Sequence, residues 1–331
     1  WANLIGLRFG AWFAWLPVLG AVAWVIDGLR GRPRPSPRAW AREWFESEHF
    51  WPDLALLILL ALIFATRAWA IRNLDAPLWG DSIQHTMITR LLVDHGGLFT
   101  SWMPYAELGT FTYHFGFHAA AAALHWLTGM DIPQAVLWAG QLLNTLAVLA
   151  LVPLATRAGG SRWAGVGAVL VGGLLLANPM AYTNWGRYTQ LAGQVILPGV
   201  VVLAWWGVRG ECEGWRLGDR PWRALALGAL AFGGLALTHY RVLIFGVLFV
   251  AVILAWELAH RRVRGPLLRA FWIGAGGGVL FLPWFLNVFS GAILRIFAAQ
   301  VTTSPAQTGA PWEALNGIGP LTDFLPVWAW L

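Results

Sequence analysis

The chain has 331 residues, 58% of them hydrophobic and 11% charged, with a mean hydropathy of +0.60; an ordinary soluble domain carries about 25% charged residues, so a soluble fold is excluded and an all-α polytopic membrane protein is expected. All 22 basic residues are arginine and the net charge is +6, an excess that in a membrane protein fixes orientation by holding Arg on the cytoplasmic side and implies no nucleic-acid partner. The single cysteine, Cys212, excludes an intramolecular disulfide and a cysteine metal cage.

The chain opens on Trp1 and closes in the apolar run Pro326 to Leu331, so it reads as a portion of something longer. A membrane-spanning helix needs about 20 mostly apolar residues. Residues 4 to 26 qualify first, making 1–26 the first transmembrane segment. Residues 27–51, opening DGLRGRPRPSPRAW, are rich in Pro and Arg and read as a cytosolic linker. Residues 52 to 71 form the second span, after which Asp75, Pro77 and Gly80 break the apolar pattern. They lead into a large loop, 72–133. Its stretch LWGDSIQHTMITRLLVDHGGLFTSWMPYAELGTFTYHFGFH (78–118) gathers Asp81, His85, Asp94, His95, Glu107, His114 and His118. Ionisable groups beside or inside a membrane are costly to desolvate, so such a concentration marks a candidate site. Later spans are expected at 134 to 156, 163 to 178, 191 to 208, 224 to 238, 242 to 258 and 271 to 290. Residues 291–331 then form an outer loop or the start of a further segment.

Segment 113 to 129, YHFGFHAAAAALHWLTG, fits either a short span or a surface helix, and arginine placement decides. If it does not cross, the connectors bearing Arg157 and Arg162, Arg209 to Arg223, and Arg261 to Arg269 share a side with Arg30 to Arg42, which puts 15 of the 22 Arg inside. If it crosses, three successive loops violate the positive-inside rule. The segment is therefore read as a re-entrant or juxtamembrane helix on the outer side, leaving about eight spans. The outer side then holds the large loop, the turn 178–190 and the turn 238–241. Arg187 and Arg241 stand in those turns beside Tyr188 and Tyr240, with His239 adjoining, and a charge in a short turn between apolar spans calls for a partner.

Asp81 and His85 are four residues apart, as are His114 and His118, so each pair would share one helix face. Asp81 also follows Gly80, in position to cap a helix starting at Ser82. Two chemistries fit the constellation. Asp81 serves as a general base that takes a proton from an acceptor hydroxyl, oriented by His85, or Asp81, His85, His114 and His118 hold a divalent metal ion. Gly274 to Gly278 lie within a span, where small residues serve close helix packing.

An acid in the first large outer loop after a span, then a helix opening on an aromatic and histidine motif, then spans with Arg-rich inner loops, together resemble the membrane glycosyltransferases of the GT-C fold. The resemblance covers residues 52–290. Asp81 matches the outer-loop acid, with Ser82 where relatives often carry a second acid, and Tyr113-His114-Phe115-Gly116-Phe117-His118 stands where they often carry Tyr-Pro-Pro or His-Pro-Pro. It implies a polyprenyl-phosphate-linked sugar as donor, Asp81 as base or metal ligand, and a site on the extracytoplasmic side of the inner (plasma) membrane. Fixed cations near a lipid phosphate suit Arg187 and Arg241, while Tyr188 and Tyr240 would stack on a sugar or sit at the headgroups.

Two other functions compete. A scaffold subunit of a larger membrane complex would carry the same spans without chemistry. A transporter or lipid flippase needs polar residues at mid-membrane; Gln141, Asn144 and Asn287 are the candidates, and such side chains more often hydrogen-bond between helices.

Overall fold

The computed structural model describes residues 1–30, 36–78, 80–107, 109, 111, 113–209, 221–260 and 264–289. Among these, every regular element is a helix: a 3₁₀ turn at Ala2–Ile5, then α1 (Ala11–Arg30), α2 (Pro37–Phe45), α3 (Phe50–Ile71), α4 (Ser82–His95), α5 (Gly116–Thr128), α6 (Ile132–Leu149), α7 (Val152–Gly159), α8 (Arg162–Leu170), α9 (Met180–Asn184), α10 (Tyr188–Arg209), α11 (Pro221–Thr238), α12 (Tyr240–Ala259) and α13 (Arg264–Phe289). A π turn, Val171–Leu175, extends α8. Five helices are long and apolar enough to cross a membrane: Phe50–Ile71, Ile132–Gly159 (α6 with α7), Tyr188–Arg209, Tyr240–Ala259 and Arg264–Asn287. Ala11–Asp27, Arg162–Leu175 and Trp222–Thr238 are shorter apolar helices.

Three boundaries depart from the sequence expectation. The first apolar segment was expected from residue 4, but α1 starts at Ala11, after Gly6 at φ 73° and Gly10 have broken the run. The linker 27–51 is not plain connector: α1 continues to Arg30, and α2 sets Trp44 and Phe45 against Phe50 at ring separations of 4.9 and 4.8 Å. In 113–129 the helix begins only at Gly116. At 13 residues it is about 20 Å long, short of the roughly 30 Å of a bilayer core. Residues 291–331, Arg32, Arg34, Cys212, Arg216, Arg220, Arg261 and Arg262 lie outside the described residues.

The chain forms two compact units, and the division falls within α5. The first comprises Gly6–Gly97 and His118–Gly186. Here α3 packs on α6 and α8 around Ile63, Val148 and Val169, with Leu56, Leu59, Leu60, Val152 and Leu174 closing over them. Burying such side chains contributes about 1.5–3 kcal/mol each against water; against lipid the gain comes from close packing instead. Near the start of α3, Asp53 accepts from Arg162 Nη1 through both carboxylate oxygens. Helix α4 stops at Gly96, whose φ of 65° lets its N–H reach the carbonyls of Leu92 and Val93. Asp131 caps α6 by accepting from Gln134 N.

The second unit comprises Trp1–Ile5, Leu98–Phe117 and the chain from Arg187. Helices α10 to α13 pack together around Val200, Leu235 and Val242. Small residues let α11 and α13 meet closely, as the sequence led us to expect: a methyl group on Gly277 would stand 3.2 Å from Ala229 O and 3.3 Å from Phe232 Cβ, and one on Gly276 2.8 Å from Ala229 Cβ. Glu257, buried on α12, pairs with Arg209 of α10 at 3.3 Å. Segment 98–117 is held by side chains of α13, since Trp284 Nε1 donates to Tyr113 O at 3.1 Å and Asn287 Nδ2 to Phe111 O.

Gly277→Val should force α11 and α13 apart and destabilise the protein by about 1–3 kcal/mol. Gly274→Val, at a glycine with nothing within 4 Å, should have little effect. Unfolding in mixed micelles would compare them, and equal losses would refute the packing account.

Candidate functional site

Asp81 occupies the position before α4, and the helix starts at Ser82 as the sequence suggested. Its side chain makes no capping bond, and Asp81 is exposed. One turn on, His85 is 1% exposed. His85 Nδ1 lies 3.0 Å from Nε2 of His118, which is wholly buried on α5. A hydrogen bond between two imidazole nitrogens requires one ring to donate and the other to accept, so the pair carries at most one charge between them without loss of the bond.

Burial dominates the protonation of His85 and lowers its pKa from 6.5 to about 4, against the opposing pull of the Asp81 carboxylate and a hydrogen bond with the Gly186 backbone. The ring is therefore neutral at physiological pH. The turn carrying Gly186 is tightly seated. Gly80 has φ 56° and sits against the Trp185 carbonyl so closely that any side chain would collide with it, while Gly186 itself has φ 74°. Both glycines are needed there for their left-handed backbone.

A polar network lies beneath this turn. Arg67, 7% exposed within the apolar α3, donates from Nε to Gln141 Oε1 at 2.8 Å and from Nη2 to Asn184 Oδ1 at 2.6 Å. Asn144, one turn after Gln141 on α6, donates to Thr183 Oγ1 at 3.3 Å. Gln141 and Asn144 thus hydrogen-bond between helices, the simpler of the roles the sequence allowed. Arg67 was not singled out from the sequence, although a lone arginine inside the run ALIFATRAWAI was the signal available.

The second unit has its own polar cluster. The starts of α10 and α12 are in contact: a methyl on Gly193 would stand 3.1 Å from both His239 Cβ and Val242 Cβ. Arg187 immediately precedes α10 and Arg241 lies in the first turn of α12, and helix N-termini and guanidinium groups both favour an anion. His239 accepts from Val242 N through Nδ1 at 3.3 Å, which leaves its proton on Nε2. The His114 ring meets those of His239 and Tyr240 edge-on at 4.7 and 5.6 Å, and stacks on Tyr113 at 3.9 Å. Tyr113 OH lies 3.3 Å from Thr189 Oγ1. Tyr240 is exposed, with the Arg241 guanidinium 5.8 Å from its ring centre.

Two expectations need correction. His114 precedes α5 rather than lying on it, because Phe115 N–H is bonded to Leu237 O, so His114 and His118 do not share a helix face. Tyr188 is 2% exposed and packs on Phe117, so it is core and offers no face to a sugar or a headgroup. Among the described residues no group of three or more His, Cys, Asp or Glu side chains comes together. The sequence reading placed His239, Tyr240 and Arg241 together, and they do share the first turn of α12.

Helical architecture and long apolar helices define this as a membrane-embedded helical protein. The chain belongs to DUF6541, a family of unknown function, whose family model matches residues 1–327. No curated protein and no solved structure matches it.

The His85 shift sets a pH dependence. Between its folded value of about 4 and its ordinary value of 6.5, the unfolded chain binds more protons than the folded one. The stability linked to a neutral His85 is therefore complete above pH 6.5 and is lost as pH falls toward 4, by up to about 3 kcal/mol. His85→Gln should flatten the fall in melting temperature across that window, and an unchanged acid profile would contradict the assignment.

Proposed function

We propose that the protein is a membrane glycosyltransferase that moves a sugar from a polyprenyl-phosphate donor to an acceptor hydroxyl at the outer face of the membrane. The observation that carries this reading is Asp81: an exposed carboxylate at a helix start, free of any capping bond, one turn from the buried His85–His118 pair, in which His85 is neutral. In the reaction the acceptor oxygen attacks the anomeric carbon, the bond from that carbon to the phosphate oxygen breaks, and the lipid phosphate leaves with the electron pair. Asp81 takes the acceptor proton, and positioned base catalysis contributes about 100-fold to 10,000-fold. His85, neutral at working pH and bonded to His118, fixes the first turn of α4 and through it the place of Asp81. Within the second unit, Arg187 and Arg241 carry the charge suited to a phosphate, and His239 and Tyr240 the rings suited to a sugar.

The topology that goes with this reading has eight spans, the five long helices plus the three shorter apolar ones, and the loop 72–133 outside. Its support is the arginine count, together with a helix α5 too short to cross. Thr128→Cys and Gly109→Cys, made in a Cys212→Ser background, should both react with an impermeant maleimide added from outside, while Glu46→Cys should not. Protection of one of the first two would overturn the eight-span topology.

Asp81→Asn keeps the shape of the side chain and removes its charge. It should lower sugar transfer from a labelled polyprenyl-phosphate donor by about 100-fold or more while leaving the melting temperature unchanged. Transfer at the wild-type rate would remove the enzyme reading and leave the scaffold subunit in its place.

A further inference from the structure

We infer that Arg67 is a positioning residue for His85, acting through Asn184 to hold the Trp185–Gly186 turn against the imidazole pair. The chain of contacts is short and lies entirely within the first unit. Arg67 Nη2 donates to Asn184 Oδ1 at 2.6 Å. Asn184 is the last residue of α9, the next residue, Trp185, packs its carbonyl on Gly80 at the start of α4, and the Gly186 backbone acts on the His85 ring one turn further on. Helix α9 has only five residues, too few to be stable by itself, so its position depends on its anchors. Two of them trace to one face of α6: Asn144 holds Thr183 directly, and Gln141 holds Asn184 through the guanidinium of Arg67.

An arginine suits this task better than any other side chain. Its planar fork offers N–H groups diverging from one rigid plane, so one residue on α3 bonds an amide on α6 and another on α9 in fixed geometry. Hydrogen bonds to a charged group are also stronger than neutral ones. A guanidinium in the apolar run of α3 is costly, and packing alone would be served by leucine; the two bonds to α6 and α9 account for its presence.

The inference takes His85 as the working residue, as the glycosyltransferase reading does, but it is tested without sugar transfer, so either can fail alone. The readout is carbethoxylation of individual histidines by diethyl pyrocarbonate in the purified full chain, located by peptide mass spectrometry at pH 7. A buried ring reacts through transient opening of whatever covers it. Asn184→Leu removes the acceptor for Arg67 while sparing the Arg67–Gln141 bond. It should raise the modification rate of His85 by about tenfold, the order expected for losing a hydrogen bond to a charged group, with His95, His125 and His260 unchanged as internal controls. Asn184→Asp keeps an oxygen acceptor for the guanidinium and should leave His85 as protected as in the wild type. Arg67→Gln should match Asn184→Leu if it folds; the Asn184 pair decides the matter if it does not. An unchanged His85 rate in Asn184→Leu, a parallel rise at all histidines, or equal rises in the Leu and Asp variants would each overturn the inference.

Discussion

A polar group surrounded by helices and lipid must find its partner inside the protein, because no water is there to supply one. That constraint shapes both units. In the first it produces the Arg67 network, where one guanidinium ties α3 to α6 and α9. In the second it produces the Arg209–Glu257 pair and the side-chain bonds by which Trp284 and Asn287 hold the irregular segment before α5. Apolar packing alone would let these helices slide, since lipid tails are as apolar as leucine. Directional bonds fix which residues face each other.

Much of the helical framework could be read from the sequence because hydrophobic runs of span length have few alternatives in a bilayer. The expected spans at 52 to 71, 191 to 208 and 242 to 258 fall inside α3, α10 and α12. The start of α4 after Asp81 was legible, although Asp81 makes no capping bond, whereas the cap that His239 supplies to α12 was not. What could not be read was any feature that depends on who packs against whom. Tyr188 looks like an interfacial tyrosine from its neighbours in sequence, yet the first turn of α10 buries it on Phe117. His114 and His118 have helical spacing, yet the helix begins between them, at Gly116, where Thr238 leaves no room for a side chain. Arg67 was hidden in the opposite way: its span is so apolar that one charge leaves the run intact.

The same constraint accounts for the division of labour between Asp81 and His85. Both are ionisable and one helical turn apart, but only one of them is buried. The imidazole has exchanged water for His118 and the Gly186 backbone, and burial outweighs the pull of the nearby carboxylate. An exposed acid one turn from a buried, neutral imidazole suits the base catalysis proposed above, because the imidazole does not compete for the proton.

This outcome depends on the cover over His85 staying shut. If the Gly186 turn lifted, water would reach the ring, desolvation would no longer hold its pKa near 4, and the carboxylate one turn away would draw a proton onto it. The imidazolium would then neutralise Asp81 as a base. A rigid anchor beneath that turn therefore does more than stabilise the fold, and it explains why a charge so costly to bury as Arg67 is placed under five residues of helix that could not hold their position alone.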